Sequence, residues 1–233
     1  MASRISERFC ALDADMTVAS DDGVLFHVHR KNLAVHSDVF ADAENATRPE
    51  NGDEIVYLSE HSVVLDLLFQ FMYCRPQPDL EALEFKTLAS LAEAAEKYVV
   101  YAAVALCRMR MKEFISAHPL EVLEYAVRHD HPHLANEAAR RSMGCGVGEA
   151  IEVLPPDIFK TWILFHERWH KQIFQGLTDM LYYDSHIPLV RRCIAVPNPV
   201  CTFHQELDIA SFSSKKFLNR MMDMKFMNEA TEA

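Results

Sequence analysis

The chain has 233 residues, half of them hydrophobic, and carries 34 Asp and Glu against 23 Lys and Arg, a formal net charge of −11. A sizeable core can be buried in one large domain or two small ones, while binding to nucleic acid through general charge, which needs clustered cations, is argued against. No run of 18 apolar residues occurs, so no membrane span is expected. The N-terminal "MASRISERFCALDADM" has no apolar stretch of signal-peptide length. Cys10, Cys74, Cys107, Cys145, Cys193 and Cys201 are scattered without a C-x-x-C pair, and read as reduced thiols, mostly small core residues. An intracellular location, cytoplasm or nucleus, is expected.

The first predicted elements are two alternating runs, "DMTVAS" (15–20) and "VLFHVHR" (24–30), around the turn "DDG", where Gly23 can take positive φ. His27 and His29 then share a strand face opposite Phe26 and Val28. Two histidines at i,i+2 can chelate a metal, but a third ligand is needed and none is evident, so the pair is read as packed or solvated. "KNLAVHSDVFAD" (31–42) suits two short helices broken near Ser37, which is a candidate N-cap for the second. After the polar loop "ENATRPENGD", "EIVYLSE" (54–60) returns to strand. "SVVLDLLFQFMYC" (62–74) reads as a helix capped by Ser62, with Val64, Leu68, Phe71 and Met72 buried at helical spacing. Asp66, Gln70 and Tyr73 line its opposite side. Helices are expected over 84–98, with Leu88, Leu91, Ala92 and Ala95 inward, and over 101–115.

The ordered set "DADMTVASDDGVLFHVHRKNLAVHSDVF", "VYLSEHSVVLDLLFQFMY" and "LASLAEAAEKYVVYAAVALC" resembles the BTB/POZ domain over residues 9–117, and looks most like the single-domain BTB proteins of basidiomycete fungi. The resemblance implies an α+β fold: a short three-stranded sheet flanked by helices, followed here by an all-helical region over 118–233 with a BACK-like arrangement. It implies that Asp15, His29 and Ser37 fix local geometry, leaving His27 and His36 at the surface. It also implies a protein–protein interaction module that self-associates as a homodimer or recruits cullin-3. Two departures stand against the last two. "CRPQPDL" follows Tyr73 where cullin-binding members carry a hydrophobic-x-Glu element, and about 14 residues precede the first expected strand, leaving little room for the N-terminal helix of strand-swapped dimers. Because the helix corresponding to 62–74 faces outward in cullin-binding members, Asp66, Phe69, Gln70 and Tyr73 are expected to form part of a partner surface.

In the second half, Pro119 and Pro132 open two helices within 118–144, with Leu120, Leu123, Ala126 and Val127, then Leu134, Ala138 and Met143, on their inner faces. "HDHPH" (129–133) is read as a solvated turn and "GCGVGEA" (144–150) as a helix break. The helix over 155–183 contains "HERWH", a formal H-E-x-x-H. Its faces argue against a zincin: Trp162, Phe165, His166, Trp169 and Ile173 form an apolar arc with His170 at its flank, Glu167 falls on the polar side four residues before Lys171, and no third histidine follows at metzincin spacing. The stretch is therefore read as a core helix. Cys193, Cys201 and His204 lack a standard zinc spacing and a fourth ligand, and 215–227 reads as a Met-rich amphipathic helix.

No nucleotide-binding loop or Ser-His-Asp arrangement is present, since Gly144, Gly146 and Gly148 follow no strand. A transcriptional regulator would need a DNA-binding element, and neither finger spacing nor a basic run is seen. The expectation is a non-catalytic interaction module or adaptor with protein partners, and no cofactor, metal or small-molecule substrate. The alternatives are a cullin-3 substrate adaptor and a zinc metallopeptidase through His166, Glu167 and His170.

Overall fold

The computed structural model describes residues 4–45 and 55–183. The chain divides between Phe114 and Ile115 into two units. In the first, four strands form one sheet: β1 (Arg4–Cys10), β2 (Met16–Ala19), β3 (Val24–Val28) and β4 (Ile55–Tyr57), in the order β1-β3-β2-β4. β2 and β3 are antiparallel, Val18 opposite Phe26, whereas β1 runs parallel to β3 and β4 parallel to β2. The turn between β2 and β3 is the one expected. Gly23 sits at φ 77°, and its N–H donates to Ser20 O at 3.0 Å. Val24, Phe26 and Val28 are all buried, as their alternation requires.

The sheet therefore has four strands, not three, and the additional strand precedes Asp15. Its sequence "RISERFC" buries only Ser6 and Phe9, three residues apart, and its pairing with β3 slips between Ile5 and Cys10. An irregular strand of this kind lacks the two-residue period by which strands are recognised.

Five helices follow the hairpin in this unit: α1 (Arg30–His36), α2 (Asp38–Asn45), α3 (Ser62–Gln70), α4 (Phe85–Lys97) and α5 (Tyr101–Phe114). Ser37 breaks α1 from α2 in extended backbone; its Oγ accepts the Phe40 N–H at 3.2 Å and donates to the Tyr98 carbonyl. Asp15 Oδ1 accepts the Arg30 N–H at 2.8 Å, holding the start of α1.

The cap of α3 differs from expectation. Ser62 is its first helical residue and His61 is the N-cap, its Nδ1 accepting the Val63 N–H at 3.4 Å. Ser62 instead donates its backbone N–H and its hydroxyl to the two Asp22 oxygens, at 2.8 and 2.7 Å. The donor-rich helix start is satisfied by a carboxylate from the hairpin turn, 40 residues away. The α-helical run ends at Gln70 rather than 74, yet Val64, Leu68, Phe71 and Met72 are all buried.

α4 ends in a Schellman arrangement. Val100 N–H reaches the Ala95 carbonyl at 2.9 Å and Val99 N–H the Glu96 carbonyl at 3.1 Å, with Val99 at φ 52°.

The second unit is helical: α6 (Pro119–Arg128), α7 (Pro132–Arg141), a 3₁₀ turn (Ser142–Gly144), α8 (Val147–Val153) and α9 (Pro156–Tyr183). Both prolines stand at helix starts, as their missing N–H allows. The glycine-containing stretch after 144 is shorter as a break than expected, since α8 begins within it. Leu120, Leu123, Ala126, Leu134, Ala138 and Met143 are buried. His129 and His131 are not simply solvated, because both rings lie against Tyr125, with centroids 5.1 and 5.5 Å away. α9 is fixed by Trp162, whose Nε1–H donates to the buried Ser142 Oγ at 2.8 Å while that hydroxyl donates to the Ala139 carbonyl, also at 2.8 Å.

Candidate interaction surface

The four residues expected to face a partner lie where α3 meets β1. Phe69 is fully buried and Gln70 buried at 8% exposure, while Asp66 and Tyr73 are half-buried. The expectation of an exposed polar stripe is corrected by this burial, and the cause is the strand that the sequence pattern conceals. Arg8 of β1 donates from Nη1 to Gln70 Oε1 at 2.9 Å, and its Nε stands 3.2 Å from Asp66 Oδ2. Gln70 Nε2 in turn donates to Asp66 O and Oδ2, at 3.0 and 3.1 Å. Burial lifts the Asp66 carboxyl above its ordinary range, against the opposing pull of Arg8, Gln70 and Ser6.

Phe9, the next residue of β1, supplies the apolar half of the seam. Its ring meets Phe69 edge-on at 5.7 Å, Tyr73 at 5.4 Å and Phe26 at 6.1 Å. Asp66, Phe69, Gln70 and Tyr73 are thus brought together, but as the anchor of an edge strand. The signal that could have revealed it is the Arg8-Phe9 dipeptide: a cation and an aromatic ring beside a matching acid-amide pair and aromatic pair on α3.

Tyr73 also answers for His29. Its hydroxyl accepts the His29 backbone N–H at 3.0 Å and lies 3.1 Å from the ring Nδ1, while Nε2 faces Asp13 at 3.4 Å. The imidazole is held between a phenol and a carboxylate at the end of β3, a positional role. His27, on the same strand face, is half-buried, and His36 is exposed.

The H-E-x-x-H stretch lies in the second unit, on α9. Trp162 and Phe165 are buried, His166 is half-buried against Trp162 with centroids 4.7 Å apart, and Ile173 is exposed, so the buried arc is shorter than the spacing suggests. Glu167 is not remote from the histidines; it borders the same open hollow. Its carboxylate pairs with Lys171 Nζ at 2.8 Å, which holds its pKa below the usual range. Among the described residues no three His, Cys, Asp or Glu side chains converge into a metal cage. Cys193, Cys201, His204 and the expected helix 215–227 lie outside the described residues. Of the four cysteines described, only Cys107 is a core residue, its thiol pushed up to about 12 by burial and, secondarily, by Glu96; Cys10 and Cys74 are exposed.

Residues 6–115 match the BTB/POZ domain family model. This segment is a BTB/POZ domain. No curated protein matches the chain. BTB domains are in general non-catalytic modules for protein–protein interaction, and the match supports an interaction role for this segment in that general sense. Within the domain, Asp15 ties the start of β2 to the start of α1, Ser37 ties the start of α2 to the end of α4, and His29 ties the end of β3 to Tyr73. No helix among the described residues is long and apolar enough to cross a membrane.

Proposed function

We propose that the chain is a non-catalytic, intracellular adaptor of the kind found among fungal single-BTB proteins, in which the BTB domain self-associates and the helical region, with a BACK-like arrangement, engages a second protein. The observation that carries this reading is the BTB/POZ match itself, covering the whole first unit apart from its N-terminal residues. The half-buried Asp66 and the buried Gln70 support an internal anchor at that place, while Asp66 and Tyr73, each part-exposed, remain accessible to a partner. Cullin-3 recruitment is the finer alternative. It is disfavoured by the segment "CRPQPDL", whose residues 74–77 are exposed and supply no hydrophobic-x-Glu element.

The test is made on the full chain. Light scattering coupled to size exclusion should give a dimer mass that dissociates on dilution, and affinity capture from fungal extract should recover a reproducible partner. Added cullin-3 N-terminal domain should not co-elute. A monomer at all concentrations overturns self-association, and stoichiometric co-elution with cullin-3 overturns the disfavoured standing of the ligase reading.

A further inference from the structure

The most chemically specific juxtaposition outside the BTB domain is on α9. His166 and His170, one turn apart, bring their Nε2 atoms within 3.1 Å of each other, ring centroids at 4.3 Å, over an open hollow bordered by Ile163 and Phe174. Both residues line this hollow. Two nitrogens bound to one zinc-like ion at about 2.0–2.1 Å lie about 2.9 Å apart at a right angle and about 3.4 Å apart at the tetrahedral angle. The observed separation falls between these limits.

We infer that His166 and His170 form a two-histidine site for a divalent transition-metal ion of the zinc, nickel or copper class. The donors are imidazoles, which select such ions over magnesium or calcium. Trp162, packed on the His166 ring and itself hydrogen-bonded to Ser142, limits the orientations of that ring. The remaining coordination positions go to water or to a donor from another molecule. Glu167 shares the hollow and pairs with Lys171, and the two histidines are the donors assigned to the metal. The competing description is a plain imidazole–imidazole hydrogen bond, one ring donating to the other, with no affinity for metal.

The experiment is calorimetric titration of the metal-free full chain with Zn²⁺, and separately with Ni²⁺, alongside the H166A and H170A variants. Because Trp162 packs on His166, the exposed His170 is the safer substitution, and far-UV circular dichroism checks that each variant keeps its helix content. The site is supported if the wild-type chain binds saturably and H170A weakens that binding at least about tenfold, two donors being needed for chelation. It is overturned if the wild-type chain shows no saturable binding, or if H170A, with helicity unchanged, binds either ion as tightly as wild type.

Discussion

Arg8 and Gln70, 62 residues apart, are joined by a 2.9 Å hydrogen bond, and through it the first strand is fastened to α3. Arg8 contributes the polar part of this seam from a side chain that remains about half exposed, whereas Phe9 contributes the apolar part from full burial. The two halves should differ sharply in what they are worth.

Phe9→Ala removes a buried ring from a cluster with Phe26, Phe69 and Tyr73, and is expected to destabilise the domain by about 3–5 kcal/mol. Arg8→Ala removes an ion pair that water screens, and should cost only about 1 kcal/mol. Urea denaturation of both variants measures the contrast. Equal effects would mean that β1 is held mainly by its polar contacts.

The same seam explains what could and could not be read in advance. The β2–β3 hairpin was legible because Gly23 and strict alternation act locally. The buried faces of α3, α4 and α6 were legible because helical spacing reports which residues face a core. β1 was not, because its partners are a parallel strand and a helix reached only through tertiary structure, and its register slip erases the period. Without β1 in view, the stripe Asp66–Gln70–Tyr73 looks like solvent-facing surface. Likewise Ser62, a good cap by type, lost that place to His61 because Asp22 captures its hydroxyl. At the candidate metal site, spacing showed that His166 and His170 are one turn apart but could not show how closely their nitrogens converge.

Leu68, with no exposure, lies at the centre of the buried face of α3. Leu68→Ala should destabilise by roughly 2–5 kcal/mol through the cavity it opens. A loss below about 0.5 kcal/mol in denaturant melts would contradict the helix phase described here, since surface substitutions have effects of that size.

Val99 holds φ 52° at the Schellman end of α4, a conformation that a β-branched residue adopts at a cost. An L-residue loses about 1–2 kcal/mol in this region, and glycine gives back about 0.5–1 kcal/mol through its larger unfolded entropy. Val99→Gly should therefore raise stability by up to about 1 kcal/mol. Asp130 closes α6 in the same way at φ 55°, with His131 N–H on the Ala126 carbonyl at 2.8 Å. Aspartate tolerates this region better, so Asp130→Gly should change stability by less than about 0.5 kcal/mol. Thermal melts of the two variants side by side give the comparison, and a larger gain at Asp130 would refute the strain argument.

Asp22 ties the hairpin turn to the start of α3, and its charge gives that tie a pH dependence. Burial opposes its ionisation, but hydrogen bonds from the Ser62 and Ser20 side chains and from backbone amides prevail and hold the carboxyl at about 2 against an ordinary 3.8. A carboxyl with a depressed folded-state pKa stabilises the fold above its unfolded pKa, and the contribution fades as pH falls from about 4 toward 2. The full shift would correspond to about 2 kcal/mol. With 26% of the side chain open to water, about 1 kcal/mol is the expected size. Asp22→Asn keeps an oxygen acceptor for Ser62 and removes the charge. Stability of wild type and variant, measured by urea melts from pH 7 to pH 2, should differ by about 1 kcal/mol near neutrality and converge at the acid end. A constant gap across that range would mean that the cap works through hydrogen-bond geometry alone, and a gap that widens with acid would reverse the sign argued here.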